Sequence, residues 1–174
     1  PLSLIISAFA KVDDVNKTIT PQLKRQNDSL LLLIDLGKGF NRLGASCLAQ
    51  VYNRSLGESP DIEPVLLTSL FQAITDLKVN NKILAYHDRS DGGLFASITE
   101  MAFAGNTGVR VDLNTGSVDE TLALLFSEEV GVVIEVDKED LDSVESILHK
   151  HSLDGLSTVI GETQKTKKII LETG

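Results

Sequence analysis

The sequence predicts an α/β (α+β) layered sandwich, a mixed β-sheet covered by helices, and three observations carry that prediction. Apolar, β-prone runs alternate along the chain with stretches of helical periodicity, the pattern of packed sheet and helix layers. The 174 residues are one domain's worth, and 42% hydrophobic against 24% charged residues is enough for a core. Two short strand-like runs close the chain and read as a hairpin, which argues against an all-parallel sheet.

The elements follow in order. Leu2–Val12 (LSLIISAFAKV) is apolar and reads as a buried strand, and Asp13–Leu23 as a short turn of helix with a loop. Leu30–Leu36 is almost continuously apolar, so it reads as a strand covered on both faces, broken by Gly37-Lys38-Gly39. Arg42–Asn53 reads as a helix with Leu43, Cys47 and Val51 on one side. A Ser-, Gly-, Asp- and Pro-containing loop follows, and Pro64 suits the first turn of a helix reaching Asn80. Leu67, Leu70, Phe71, Ile74 and Leu77 would form the buried face of that helix.

Ile83–His87 reads as a strand and Asp88–Gly93 as a loop. A helix is expected over Leu94–Ala104, with Leu94, Ile98 and Met101 inward and Gly105 at its end. Gly108–Leu113 alternates apolar and charged residues, as a half-buried strand does. Thr121–Phe126 is helical or turn-like, and Val130–Val136 is a strand. Asp137 suits the cap of a helix that buries Leu141, Val144 and Leu148. Thr158–Ile160 and Lys168–Leu171 form the expected hairpin. No internal repeat or linker divides residues 1–174, so a single domain is expected.

Composition excludes several functions. The net charge is −9, from 25 acids and 16 bases without a basic stripe, which argues against nucleic acid as a partner. No run of about 18 apolar residues exists, so no membrane-spanning helix is expected. Cys47 is the one cysteine, which precludes an internal disulfide or a CxxC zinc site and fits a reducing, cytoplasmic setting. The chain opens on Pro1 without a charged leader, so it does not read as a signal peptide; it reads as a piece of something longer.

The best candidate for chemistry is the stretch from His87 through Asp88, Arg89, Ser90, Asp91, Gly92 and Gly93, between a strand and a helix. Ligands of α/β sheets gather at such turns, and a helix start offers N–H groups to an anion. Arg89 suits a phosphate or carboxylate; Ser90 and the Gly92 and Gly93 amides would add neutral donors. Asp88 and Asp91 would repel a bare phosphate, but suit a magnesium-bridged one or a sugar hydroxyl. The plain alternative makes Asp91 a helix cap, Gly92-Gly93 a turn and Arg89 a surface charge. Gly37–Ser46 (GKGFNRLGAS) is a second candidate, a glycine-lined wall that is not a Walker A loop. Phe126–Gly131 (FSEEVG) carries Glu128 and Glu129; neighbours on a strand point apart, so a solvated acidic turn is expected. Cys47 reads as a small core residue rather than a nucleophile. His149 and His151 flank Lys150 at a helix end, where cations complement the dipole. No metal site is assigned to this chain alone.

Together, Ser3–Val15 (SLIISAFAKVDDV), Leu31–Tyr52 (LLLIDLGKGFNRLGASCLAQVY), Ala85–Leu94 (AYHDRSDGGL), Glu100–Gly105 (EMAFAG) and Leu125–Gly131 (LFSEEVG) resemble the large, single-chain phosphoribosylformylglycinamidine synthases. The resemblance covers most of the chain in order. It points to a C-terminal-type domain of the aminoimidazole ribonucleotide synthetase superfamily, and that fold. It implies a part in an ATP- and glutamine-dependent ligase of purine biosynthesis, which converts formylglycinamide ribonucleotide to the amidine with Mg²⁺. The implied partners are N-type synthetase domains and a glutaminase domain. Asp88, Arg89, Ser90, Asp91, Gly92, Gly93 and Ser46 would line a substrate or nucleotide groove, with no catalytic residue assigned here. Ala45 stands where related domains more often carry glycine. The chain alone is expected to be inactive and to hold no cofactor tightly, and two copies could pair through an uncovered face. The alternative is a non-catalytic assembly domain that supports a structural nucleotide.

Overall fold

The computed structural model describes residues 5–173, and these build a six-stranded mixed sheet between two helical layers. The strands are β1 (Ser29–Asp35), β2 (Ala85–Asp88), β3 (Gly108–Asp112), β4 (Gly131–Asp137), β5 (Ser157–Gln164) and β6 (Ile169–Glu172). The helices are α1 (Cys47–Val51), α2 (Pro64–Val79), α3 (Gly93–Gly105), α4 (Val118–Phe126) and α5 (Leu141–Lys150). The strand order is β2-β4-β1-β5-β3-β6, antiparallel except for the β3/β6 pair.

The continuous apolar runs of β1 and β4 have the burial expected of them. Successive side chains on a strand alternate between the two faces. Leu31 and Leu33 join Val133, Val109 and Val111 under α3 and α4, with Leu94, Ile98, Met101 and Leu125. Leu32 and Ile34 join Val132, Ile134 and Val136 on the other face, under α2 and α5. Glu135, fully buried on β4, breaks the apolar pattern. Its carboxylate accepts from the Lys24 N–H (2.7 Å), the Arg25 N–H (3.0 Å) and the Ser29 hydroxyl (2.8 Å). These bonds tie the segment before β1 to the sheet and offset the cost of burying the acid.

Several expectations are corrected. Residues 5–12 form no strand: Ile5, Ile6 and Phe9 are exposed and the backbone is irregular; residues 2–4 of that expected strand lie outside the described residues. The Arg42–Asn53 helix shrinks to α1, and Val51 is exposed. A turn held by positive-φ Asn41 and Ala45 occupies its first half. On α2 the buried residues are Leu70, Ala73 and Leu77, while Leu67 and Phe71 face out. Leu70, Ala73 and Leu77 follow the i, i+3, i+7 spacing of one narrow stripe, and Phe71 lies about 100° around the helix from Leu70, off that stripe. Gly105 ends α3 as expected, and the left-handed cap that follows it is Asn106 (φ 48). A Cβ on Gly105 would lie 2.7 Å from Leu23, which explains the glycine. Asp137 caps nothing with its side chain and pairs instead with Arg25 (3.0 Å). The closing strands form no hairpin, because β3 lies between β5 and β6 and takes β6 in parallel. No helix among the described residues is long and apolar enough to cross a membrane.

Candidate functional site

Sheet register brings the three candidate stretches together. Asp35 at the end of β1 lies opposite Gly131 at the start of β4, and Asp88 at the end of β2 lies opposite Val132. The chain leaving β1, the chain leaving β2 and the chain entering β4 therefore emerge at one end of the sheet. Ligand crevices of open α/β sheets form at strand ends of this kind.

A charge network underlies these loops. Asp35 accepts from the Gly37 N–H (2.9 Å) and the Gly39 N–H (2.8 Å), and its carboxylate also pairs with Arg89 Nη2. Arg89 Nε donates to the Glu129 carbonyl (2.6 Å), and the Arg89 N–H to the Gly131 carbonyl (2.8 Å). The Arg89 side chain is 0% exposed. Arg89 is thus neither a surface charge nor a group turned toward solvent. The Glu129 side chain, also 0% exposed, accepts from Arg42 Nε (2.6 Å), Arg42 Nη2 (2.9 Å) and the Arg42 N–H (3.1 Å). This replaces the expected solvated turn: a forked guanidinium matches a carboxylate bidentately and makes its burial tolerable. The hydrogen bonds it donates to Glu129 push the Arg42 guanidinium above its ordinary pKa. Gly37 is required beside this pair, because a Cβ there would sit 2.7 Å from the Glu129 side chain. Sequence reasoning placed Glu129 in a solvated turn and did not single out Arg42; the two lie 87 positions apart with no local signal linking them.

The exposed part of the site is smaller than the motif. Asp88, Ser90 and Asp91 are exposed, Gly92 is half-buried, and Gly93 is buried. Gly92 (φ 84) and Gly93 (φ 65) both occupy the left-handed region, which glycine enters without strain. Their amides are already used: Gly92 N–H donates to Glu128 Oε1 (3.0 Å) and Gly93 N–H to the Ser90 carbonyl (2.8 Å). Asp91 is not the helix cap, since Gly92 holds that position without a side-chain bond. Ser46 is buried; its hydroxyl donates to the Leu43 carbonyl (2.7 Å) and accepts from the Ala49 N–H (3.3 Å), capping α1. Asp88 Oδ1 accepts from the Tyr86 hydroxyl (2.6 Å), and burial together with that acid raises the Tyr86 pKa. The His87 ring bridges Glu100 Oε2 (2.6 Å) and the Asp88 carbonyl (2.7 Å).

Glu128 Oε1 also accepts from the Cys47 N–H (2.8 Å), so the GAS loop joins the cluster. Ligand atoms of Cys47, Asp91 and Glu128 lie within 4.8 Å of one another. Burial first, then Glu128 and Asp91, push the Cys47 thiol up, so it is a poor thiolate nucleophile or ligand. The groups whose chemistry suits a Mg²⁺-bridged phosphate are the exposed oxygen donors, Asp88, Asp91 and Ser90. At the far end of α5, Lys150 Nζ and His151 Nε2 both reach Asp76 Oδ2 (2.8 Å each), joining α5 to α2.

A family model described as AIR synthase related protein, C-terminal domain, matches residues 25–174. Among solved structures, T. maritima PurL complexed with ATP superposes with a TM-score of 0.69 at 15% identity, over 91% of this chain and 25% of that one. Phosphoribosylformylglycinamidine synthase II from Thermotoga maritima gives 0.63 at 15% identity, over 87% and 24%. E. coli HypE, a hydrogenase maturation protein, gives 0.61 at 25% identity, over 88% and 48%. The chain therefore spans about a quarter of the first two structures and about half of the third.

Proposed function

The chain belongs to the AIR synthase related protein C-terminal domain family, and from that premise we propose that it forms one wall of a substrate or nucleotide groove in an ATP-dependent synthetase. The reaction we assign is that of phosphoribosylformylglycinamidine synthase, conversion of formylglycinamide ribonucleotide to the amidine with glutamine as nitrogen donor. The observation that carries this reading is the convergence of three loops at one sheet end, with Asp88, Ser90 and Asp91 exposed there. The resemblance of HDRSDGG, EMAFAG and FSEEVG, in that order, to the phosphoribosylformylglycinamidine synthases supports this reaction.

In this reading Asp88 or Asp91 holds a Mg²⁺-bound water or a sugar hydroxyl, and Ser90 donates to a phosphate oxygen. ATP, when bound, supplies the phosphoryl group that activates the amide oxygen. Arg89 contributes from below, by fixing Asp35 and the Glu129 carbonyl. The N-type synthetase domains close the groove, and the glutaminase domain supplies ammonia. Exposed Val65 and Phe71 on α2 and Phe103 on α3 support coverage by neighbouring modules or by a second copy.

The second reading is an assembly domain supporting a structural nucleotide. It is favoured by the internal use of Arg89 and of both glycine amides. Ser90→Ala and Asp91→Asn in the whole synthetase separate the two, because both side chains are exposed and their loss leaves packing intact. The groove reading expects KM for ATP or the ribonucleotide to rise about tenfold, the loss of one charge-assisted hydrogen bond. Unchanged KM with unchanged melting temperature would overturn it in favour of assembly.

A further inference from the structure

We propose that Glu128 is a positioning residue, one carboxylate that holds the α1 and α3 entry loops in register and so sets the shape of the wall. The inference rests on the groove reading above and deepens it. Glu128 Oε1 receives two main-chain N–H groups, Cys47 at 2.8 Å and Gly92 at 3.0 Å. Those donors lie 81 and 36 positions away along the chain. Among the described residues, no direct hydrogen bond joins the 43–47 loop to the 88–93 loop; the connection runs through this oxygen.

The carboxylate is itself firmly based. The adjoining Glu129 is gripped by Arg42, its carbonyl by Arg89, and its N–H donates to the Ser127 hydroxyl (3.3 Å). On the other side, Gly93 lies so close to this turn that a Cβ there would meet the Ser127 and Leu125 carbonyl oxygens at 2.6 and 2.7 Å. Glu128 is thus a short arm from a fixed base, and the loops it holds are those that carry Ser46 and the exposed Ser90 and Asp91. Bonds from N–H groups to a carboxylate are roughly twice as strong as neutral ones. A Gln at 128 keeps an oxygen in the same place at neutral strength. An Asp keeps the charge but is one methylene short of the two amides.

The test combines amide hydrogen exchange at Cys47 and Gly92 in the 174-residue chain with KM for ATP and the ribonucleotide in the whole synthetase. Glu128→Ala should speed exchange at both amides about tenfold and raise KM about tenfold with a smaller change in kcat. Glu128→Gln should restore both readouts to within a few fold. Should Glu128→Ala not fold, Glu128→Asp makes the same comparison. Unchanged exchange in the Ala or Asp variant overturns the clamp. Faster exchange with unaltered KM, while Ser90→Ala does raise KM, overturns the positioning role and leaves the groove standing. If Ser90→Ala also leaves KM unaltered, the groove reading falls with it.

Discussion

Replacing Arg89 by Ala should destabilise the domain severely rather than simply weaken a ligand contact. The guanidinium is fully covered, and Asp35, its partner, has a side chain only 15% exposed. The substitution leaves that carboxylate without its cation and the Glu129 carbonyl without its Nε donor. Removing one member of a buried pair costs about 3–5 kcal/mol, because the other charge stays desolvated. Domains of this size have about 5–15 kcal/mol of total stability. At roughly 2–4 °C per kcal/mol, the melting temperature should fall by roughly 6–20 °C. Urea unfolding followed by circular dichroism measures this, with Arg89→Lys expected to lose part of the effect because an ammonium cannot serve both acceptors as a fork does. The decisive variant is Arg89→Ala combined with Asp35→Asn. If the orphaned carboxylate is the cost, neutralising it recovers part of the loss. A loss under about 1 kcal/mol, or no recovery in the double variant, would refute the account. It also follows that a raised KM in Arg89→Ala is no measure of ligand contact unless folding is measured alongside.

Two further predictions concern packing and pH. Gly93→Ala places a Cβ against two carbonyl oxygens at a φ of +65°, and should cost about 2–3 kcal/mol as a lower urea midpoint at unchanged slope; a loss below about 0.5 kcal/mol would contradict the geometry. Lys150 and His151 hold the Asp76 carboxyl below its ordinary pKa. Since the folded value is the depressed one, the contribution is present above the usual carboxylate range and is lost as pH falls through the folded value. Asp76→Asn should therefore flatten the acid limb of stability against pH, and an unchanged acid limb would sink that assignment.

The local layers were legible because the hydrophobic effect writes itself as periodicity. Spacing alone turns Leu94, Ile98 and Met101 inward, and they are 0%, 1% and 0% exposed. The continuous apolar run of β1 predicts a strand covered on both faces, and Leu31, Leu32, Leu33 and Ile34 are all buried. Periodicity failed where one position had two equivalent readings. Leu67 and Phe71 flank the stripe of Leu70, Ala73 and Leu77 on α2, and the spacing alone does not say how wide the buried stripe is. At the site, the three candidate stretches were visible as polar, glycine-containing breaks, but their inner partners were not. Glu129 looked like its neighbour Glu128, yet one is locked to Arg42 and the other spans two loops.

The amino-acid order by itself determined most of the strands and helices and the polar turns that punctuate them, residues 5–12 and the first half of 42–53 excepted, since those patterns depend on neighbours a few positions away. Only the folded arrangement decided that β6 joins β3, that Arg89 turns inward to Asp35, and that Glu128 meets both Cys47 and Gly92. Those outcomes join residues 36 to 81 positions apart in the chain. A local pattern states which way a side chain faces on its own element, and which distant group meets it there is set by the packing of the whole.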